Sequence, residues 1–231
     1  FISALGILIA YWGILWIGGA EDPYSLEHNL IRKIDIFLLG ESHLYGGTGI
    51  QFDPEGLLST IPSVVTVLIG YLVGSMLHTT KDFLDNVKRM STFGIGLMIV
   101  GIIWGLLFPI NKQLWTSSYV LFTGGIATLI LSLLCFMIDI KKWKKPLWVF
   151  QIFGTNSIFL FVLSGLWTKI ILRLRFDLEG QSISGYGYLY KTLFVPIGGD
   201  MFGSFLFAFA HLVGFWLILL WLYRKKIFIN L

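Results

Sequence analysis

In FDPEGLLSTIPSVVTVLIGYLVG, residues Phe52 to Gly74, two carboxylates and a proline stand directly before a long apolar run. From Leu57 to Leu77 there is no Asp, Glu, Lys or Arg, and the run is long enough to cross a hydrocarbon core of about 30 Å as a helix. Five further segments have the same character: Phe1–Gly19, Thr92–Ile110, Ser117–Ile138, Leu147–Thr168 and Phe202–Tyr223. Of 231 residues, 56% are hydrophobic and only 13% charged, too little charge to cover a soluble globule of this size. The runs are continuous, without the period-two alternation over about ten residues that marks a transmembrane barrel. The expected fold is therefore all-α: a polytopic transmembrane helix bundle with six spans, forming a single domain over residues 1–231.

Charge sorting orients the bundle. Ten Lys and Arg fall in the short segments around residues 81–89, 141–145 and 224–226, and seven lie in the connections on the other side. By the positive-inside rule the short basic segments are cytoplasmic, so an even number of spans places both ends of the chain in the cytoplasm. The basic balance of the chain then reports topology, and no nucleic-acid partner is needed to explain it. Cys135, the single cysteine, lies inside the fourth span, which excludes disulfides and Cys-rich metal sites. The chain begins with Phe in an apolar run that has no basic flank and no small-residue cleavage site, so Phe1–Gly19 does not read as a signal peptide. Further N-terminal spans are expected upstream.

The outer face carries the long connections. In LEHNLIRKIDIFLLG, apolar Leu26, Leu30, Ile34, Phe37 and Leu38 recur at helical spacing with Gly40 as a stop, which predicts a short interfacial helix in the layer of outer loops. Asp53 is placed to cap the helix that follows, with Pro54 and Glu55 in its first turn. TTKDFLDNVKRMS, from Thr79 to Ser91, and KKWKKP, from Lys141 to Pro146, read as inner connectors. FPINKQLWTSS forms a tight hairpin that Pro109 opens and Ser117 closes, and Lys169–Met201 is a long loop rich in Gly and Tyr. Structure concentrated outside fits an outer-face substrate.

Few polar groups lie at membrane depth, where each is a candidate for function. Asn156 sits near the middle of its span and His211 is similarly deep; an interhelical hydrogen bond is the ordinary role of the first and polar packing that of the second. For Asp53 and Glu55 a cap and a complement to the helix dipole compete evenly with chemistry. Lys112 and Trp115 lie at the same boundary, where a snorkelling lysine beside an interfacial tryptophan is ordinary. Gly70 with Gly74, and Gly101 with Gly105, have the spacing of close helix packing. No His-rich metal spacing, P-loop or dinucleotide-binding pattern occurs.

KIDIFLLGESHLYGG, FDPEGLLSTIPSVVTVLIGYLVG, FPINKQLWTSSYV, GTNSIFLFV and LYRKKIF, in this order, resemble the heparan-alpha-glucosaminide N-acetyltransferase family of transmembrane acyltransferases and its bacterial relatives. The resemblance implies an enzyme of a bacterial inner membrane that takes acetyl from cytoplasmic acetyl-CoA, as co-substrate, and delivers it to a glucosamine-type amino sugar outside. It implies Asp53 and Glu55 as catalytic residues, and His43, Asn111, Lys112, Trp115, Asn156 and Ser157 as substrate-binding residues, with no metal. The stretch that holds the family's proposed catalytic histidine is absent, so none of His28, His43, His78 and His211 inherits that role. Between Arg173 and Asp200 nothing aligns, which leaves sugar specificity open, and homo-oligomerisation stays open as well. A small-solute sugar transporter, with the same polar residues lining a path and no chemistry, is the alternative reading.

Overall fold

A computed structural model describes residues 2–19, 22–47, 49–77, 79–80, 82–145 and 147–229. His78, Lys81 and Pro146, which figure in the sequence reading, lie outside the described residues, as do Phe1, Ala20 and Thr48. The chain divides into two compact units, residues 1–142 and 143–231.

In the first unit, helix α1 (Ile2–Gly18) leads to a short helix α2 (Leu30–Leu39), and then come α3 (Thr60–Met76), α4 (Phe83–Gly105) and α5 (Ser117–Cys135). A 3₁₀ turn at Leu57–Ser59 opens α3, and a π-type turn at Phe136–Ile140 extends α5. α4 packs most extensively against α5. The reason is glycine: a Cβ on Gly125 would lie 2.6 Å from the Met98 nitrogen, and one on Gly101 would lie 2.6 Å from the Phe122 nitrogen. Only these residues let two backbones approach so closely. Gly70 and Gly74, by contrast, would meet nothing within 4 Å, so their spacing marks no packing seam in the described structure.

The apolar core of this unit joins Leu8 of α1, Val65, Ile69 and Val73 of α3, Met90 of α4, and Val120 and Leu121 of α5. A second cluster lies where the connections gather: Tyr11, Leu15, Ile31, Phe52, Phe108 and Leu114 are all buried. Residues expected to form an inner connector are instead helical from Phe83, because Asp82 accepts from the Leu84 N–H at 2.9 Å and caps α4. Buried Asn86 completes that turn, donating to Leu77 O and Thr80 O at 3.1 and 3.0 Å.

The second unit departs further from expectation. The predicted span Leu147–Thr168 is two helices, α6 (Trp148–Thr155) and α7 (Ser157–Arg173), bent by 76° at Asn156. The predicted loop Lys169–Met201 is largely ordered: it finishes α7, forms an antiparallel hairpin of β1 (Arg175–Leu178) and β2 (Gln181–Ser184), and enters α8 (Gly185–Leu189) and α9 (Val195–Arg224). α9 breaks its helical path at Gly199, where φ is +66°.

Four helical stretches are long and apolar enough to cross a membrane, or five if the bent pair is one span. α1, with 17 residues, is shorter and would reach about 25 Å. The chain is thus a helical membrane protein with four or five such stretches among the described residues, which supports the expected bundle without confirming its count of six, and it carries a small hairpin beside its helices.

Candidate functional site

Helix α2 forms as the sequence predicts, stopped by Gly40 at φ +81° and started by Asn29, whose side chain accepts from Arg32 N–H at 2.8 Å. Its orientation is the surprise. Phe37 and Leu38 of the apolar stripe are exposed by 85% and 59%, while Ile31 and Asp35 face inward at 0%. The stripe is split: Leu26 and Leu30 pack on the buried cluster while Phe37 and Leu38 face out, and a buried polar group on such a helix needs work to do.

Asp35 has that work. Its Oδ1 accepts from the Leu57 N–H at 3.1 Å, the first amide of the helical stretch that becomes α3. The cap expected from Asp53 is therefore supplied from α2, a residue 22 positions upstream. Asp53 instead closes its own turn, accepting from Glu55 N–H at 2.9 Å, with Gly56 N–H on Asp53 O at 3.2 Å. Glu55 lies in that turn ahead of the helix, not in its first turn, and its side chain is exposed. Burial pushes the Asp35 carboxyl above its ordinary range; the bond from Leu57 works against this and the Asp53 charge adds to it.

The second connection, residues 108–118, is fastened by hydroxyls. Thr116 Oγ1 caps α5 and donates to Pro109 O at 2.8 Å, Ser118 donates to Phe108 O at 2.5 Å, and Ser117 donates to Leu8 O at 2.7 Å. Tyr11 of α1 donates to Leu114 O at 2.6 Å. Asn111 turns its Oδ1 onto the Gln113 and Leu114 amides at 2.8 and 3.3 Å, a turn-forming role. Lys112 extends into solvent. Trp115 adopts φ +48°, packs edge-on against Tyr119 at 5.4 Å and reaches Thr66 through its indole N–H at 3.5 Å.

These two connections meet in an open cleft of about 220 Å³ lined by Glu55, Ser59, Thr60, Ser63 and Trp115. Two of the sequence-predicted residues, Glu55 and Trp115, thus share one site, with Asp53 beside them in the chain. His43 is exposed on the turn Glu41–His43, its Nδ1 3.3 Å from Ser42 Oγ, and does not line the cleft. Asn156 and Ser157 belong to the second unit. Asn156 is fully buried there, donating to Ile227 O at 3.1 Å and accepting from Ile229 N–H at 2.8 Å. It clamps the C-terminal segment at the helix break, while Ser157 is exposed at the start of α7. Among the described residues no three His, Cys, Asp or Glu side chains gather in a way that could hold a metal ion. Sequence reasoning missed Ser59, Thr60 and Ser63, whose hydroxyls at one-turn spacing after DPEG were the available signal, and it missed Asp35.

No family model matches the chain. It is similar to two curated proteins: heparan-alpha-glucosaminide N-acetyltransferase of Mus musculus, 34% identical over 171 residues, covering 65% of this chain and 26% of the mouse protein, and the Homo sapiens protein of that name, 34% identical over 146 residues, covering 56% and 22%. The chain spans about a quarter of the length of these relatives. On this identity, with the helical membrane architecture beside it, the chain is similar over part of its length to the heparan-alpha-glucosaminide N-acetyltransferases.

Proposed function

We propose that the protein is a membrane acetyltransferase that moves acetyl from acetyl-CoA to the amine of a glucosamine-type sugar, and that the Glu55–Trp115 cleft is where the sugar binds. The carrying observation is the 34% identity to proteins whose names state an N-acetyltransferase acting on a glucosaminide. The cleft has matching chemistry. An amino sugar offers an ammonium and the apolar face of a pyranose ring; an exposed carboxylate pairs with the first, and an indole accepts the second while adding cation–π attraction. The hydroxyls of Ser59, Thr60 and Ser63 line the same wall and suit a polyol.

In the transfer, the ammonium loses its proton, the free amine forms a C–N bond to the thioester carbon, and the C–S bond breaks to release the CoA thiol, which takes up a proton. Glu55 holds the ammonium and accepts its proton as the amine is presented; Asp53 fixes the turn that aims Glu55. Lys112, on the same connection as Trp115, is a donor for the carbonyl oxygen as it gains charge.

The orientation we propose rests on charge, with the cleft outside and the basic 141–145 segment in the cytoplasm. Cysteines placed singly at Ser42 and Lys142 in a Cys135→Ala background test it in intact cells: an impermeant thiol reagent labels position 42 and spares 142, and the reverse pattern overturns the orientation. For the reaction, membranes containing the protein are given labelled acetyl-CoA and glucosamine, with sugar uptake into vesicles measured alongside. Labelled N-acetylglucosamine is the expected result; uptake without transfer identifies a transporter and refutes the proposal.

A further inference from the structure

The cleft lies between two connections and the start of α3, and each connection is held by a buried polar side chain that a different helix supplies. Tyr11 of α1 spends its hydroxyl on Leu114 O, one residue before Trp115. Asp35 of α2 spends Oδ1 on Leu57 N–H, two residues after Glu55. Between Glu55 and that bond lies Gly56, packed so tightly on α2 that a Cβ there would collide with Asp35 Oδ2 and come 2.6 Å from Ile31 Cγ2. The DPEG turn is therefore pressed onto one carboxyl, and the glycine is what allows it.

A carboxyl is a costly choice for such a brace. Asp35 is 0% exposed and its Oδ2 is without a hydrogen-bond partner among the described residues. A buried unpaired acceptor forfeits its hydration without recompense, and an ionised one forfeits more. The titratable groups facing it are Tyr11 from α1 and Asp53 from the turn; neither brings a cation to compensate. A neutral carboxyl eases the conflict, because it keeps an accepting oxygen for Leu57 while shedding the charge, the costlier part of the burial.

We propose that Asp35 is the positioning residue of the amino-sugar site, acting as a neutral acceptor that holds the Leu57 amide and so sets Glu55 against Trp115. The inference rests on the cleft's being the acceptor site, and its test is chosen to separate the two ideas. A spin label on a cysteine at Glu55, in a Cys135→Ala background, reads the order of the turn whether or not the protein transfers acetyl; a second label at Gln113 reads the neighbouring connection. With Asp35 present both labels are held as the parent holds them. Asp35→Asn, which retains an accepting oxygen and mimics the neutral acid, leaves the label at 55 as immobile as in the parent. Asp35→Leu releases it while the label at 113 is unchanged.

In the intact enzyme carrying native Glu55, Asp35→Leu raises the KM for glucosamine or lowers turnover by about a hundredfold, the scale of a misplaced binding group, with the KM for acetyl-CoA within about twofold of the parent. Asp35→Asn restores the parental kinetics. If the label at 55 is equally immobile in Asp35→Leu, or if Asp35→Asn frees the turn as fully as Asp35→Leu does, the positioning role is overturned. If the label responds as stated but no variant, parent included, acetylates glucosamine, the brace stands and the acceptor assignment falls.

Discussion

The lip of the first unit and the helix break of the second solve one problem in two ways. At both places a polar side chain enters a membrane-embedded fold to hold backbone far away in sequence: Asp35 holds Leu57, and Asn156 holds the segment Ile227–Ile229. Asn156 is matched at both ends, its amide donating and its carbonyl accepting, so both of its polar atoms are engaged by the fold. Among the described residues Asp35 is matched at one oxygen only, and it carries a titratable group into a buried site. Among the described residues, the first unit also holds nine of the ten buried polar or charged ones, Asn29, Asp35, Ser59, Asn86, Thr116, Ser117, Ser118, Thr128 and Ser132, against Asn156 in the second. Of these, Ser59 lines the cleft, and Asp35 and Thr116 hold the connections that bear Glu55 and Trp115; a single amide engaged by the fold marks a joint.

The widest separation between the two regions is expected in turnover. Glu55→Gln keeps the shape of an exposed side chain, so the melting of the detergent-extracted protein should move by no more than about 0.5 kcal/mol. Acetyl transfer should nevertheless fall about a hundredfold, the usual scale for an acid–base or orienting group. Near-parental turnover would reduce Glu55 to a turn residue and dissolve the contrast. Asn156→Ala should do the opposite, costing about 1–3 kcal/mol of stability through two lost hydrogen bonds, with specific activity per folded molecule retained. A fall in activity without loss of melting temperature would move Asn156 from joint to site.

A smaller effect is expected from pH. Because the folded Asp35 pKa is raised, the folded chain keeps a proton that the unfolded chain has released, over a window that begins near the ordinary Asp value of about 3.9 and runs upward. The proton favours the folded state, so stability is lost as pH rises through that window. Melting followed across it should show a shallower decline for Asp35→Asn than for the parent, whereas Asn156→Ala should keep the parental slope. Equal slopes for parent and Asp35→Asn would mean that Asp35 is ionised throughout.

Why the lip was only half legible in sequence follows from particular residues. The apolar runs of α3, α4 and α5 announce themselves by length and lack of charge, and α2 by its spacing and Gly40. Asp53 and Glu55 stand out because carboxylates beside an apolar run are conspicuous. Asp35 does not, since periodicity assigns it to the polar face of α2 and only the fold shows that this face turns inward. The break at Asn156 lacks a proline, and what holds it open lies more than 70 residues away at Ile227 and Ile229. In RFDLEGQSIS the signal was present: Glu179 and Gly180, at φ +55° and +79°, form the tight turn between β1 and β2, and a strand reading of the flanking residues would have found the hairpin.

The claim on which the account turns is that the Glu55–Trp115 cleft takes the amino sugar. It is tested most directly by protection of a single cysteine at Ser63, which lines that cleft, with Ser157→Cys as the matched position in the second unit and Cys135→Ala in both. Glucosamine should slow thiol labelling at position 63 in a saturable way and leave position 157 unaffected, while N-acetylglucosamine, which lacks the ammonium, should protect far less. Labelling at 63 that is indifferent to glucosamine, or equally slowed at 157, would contradict the assignment.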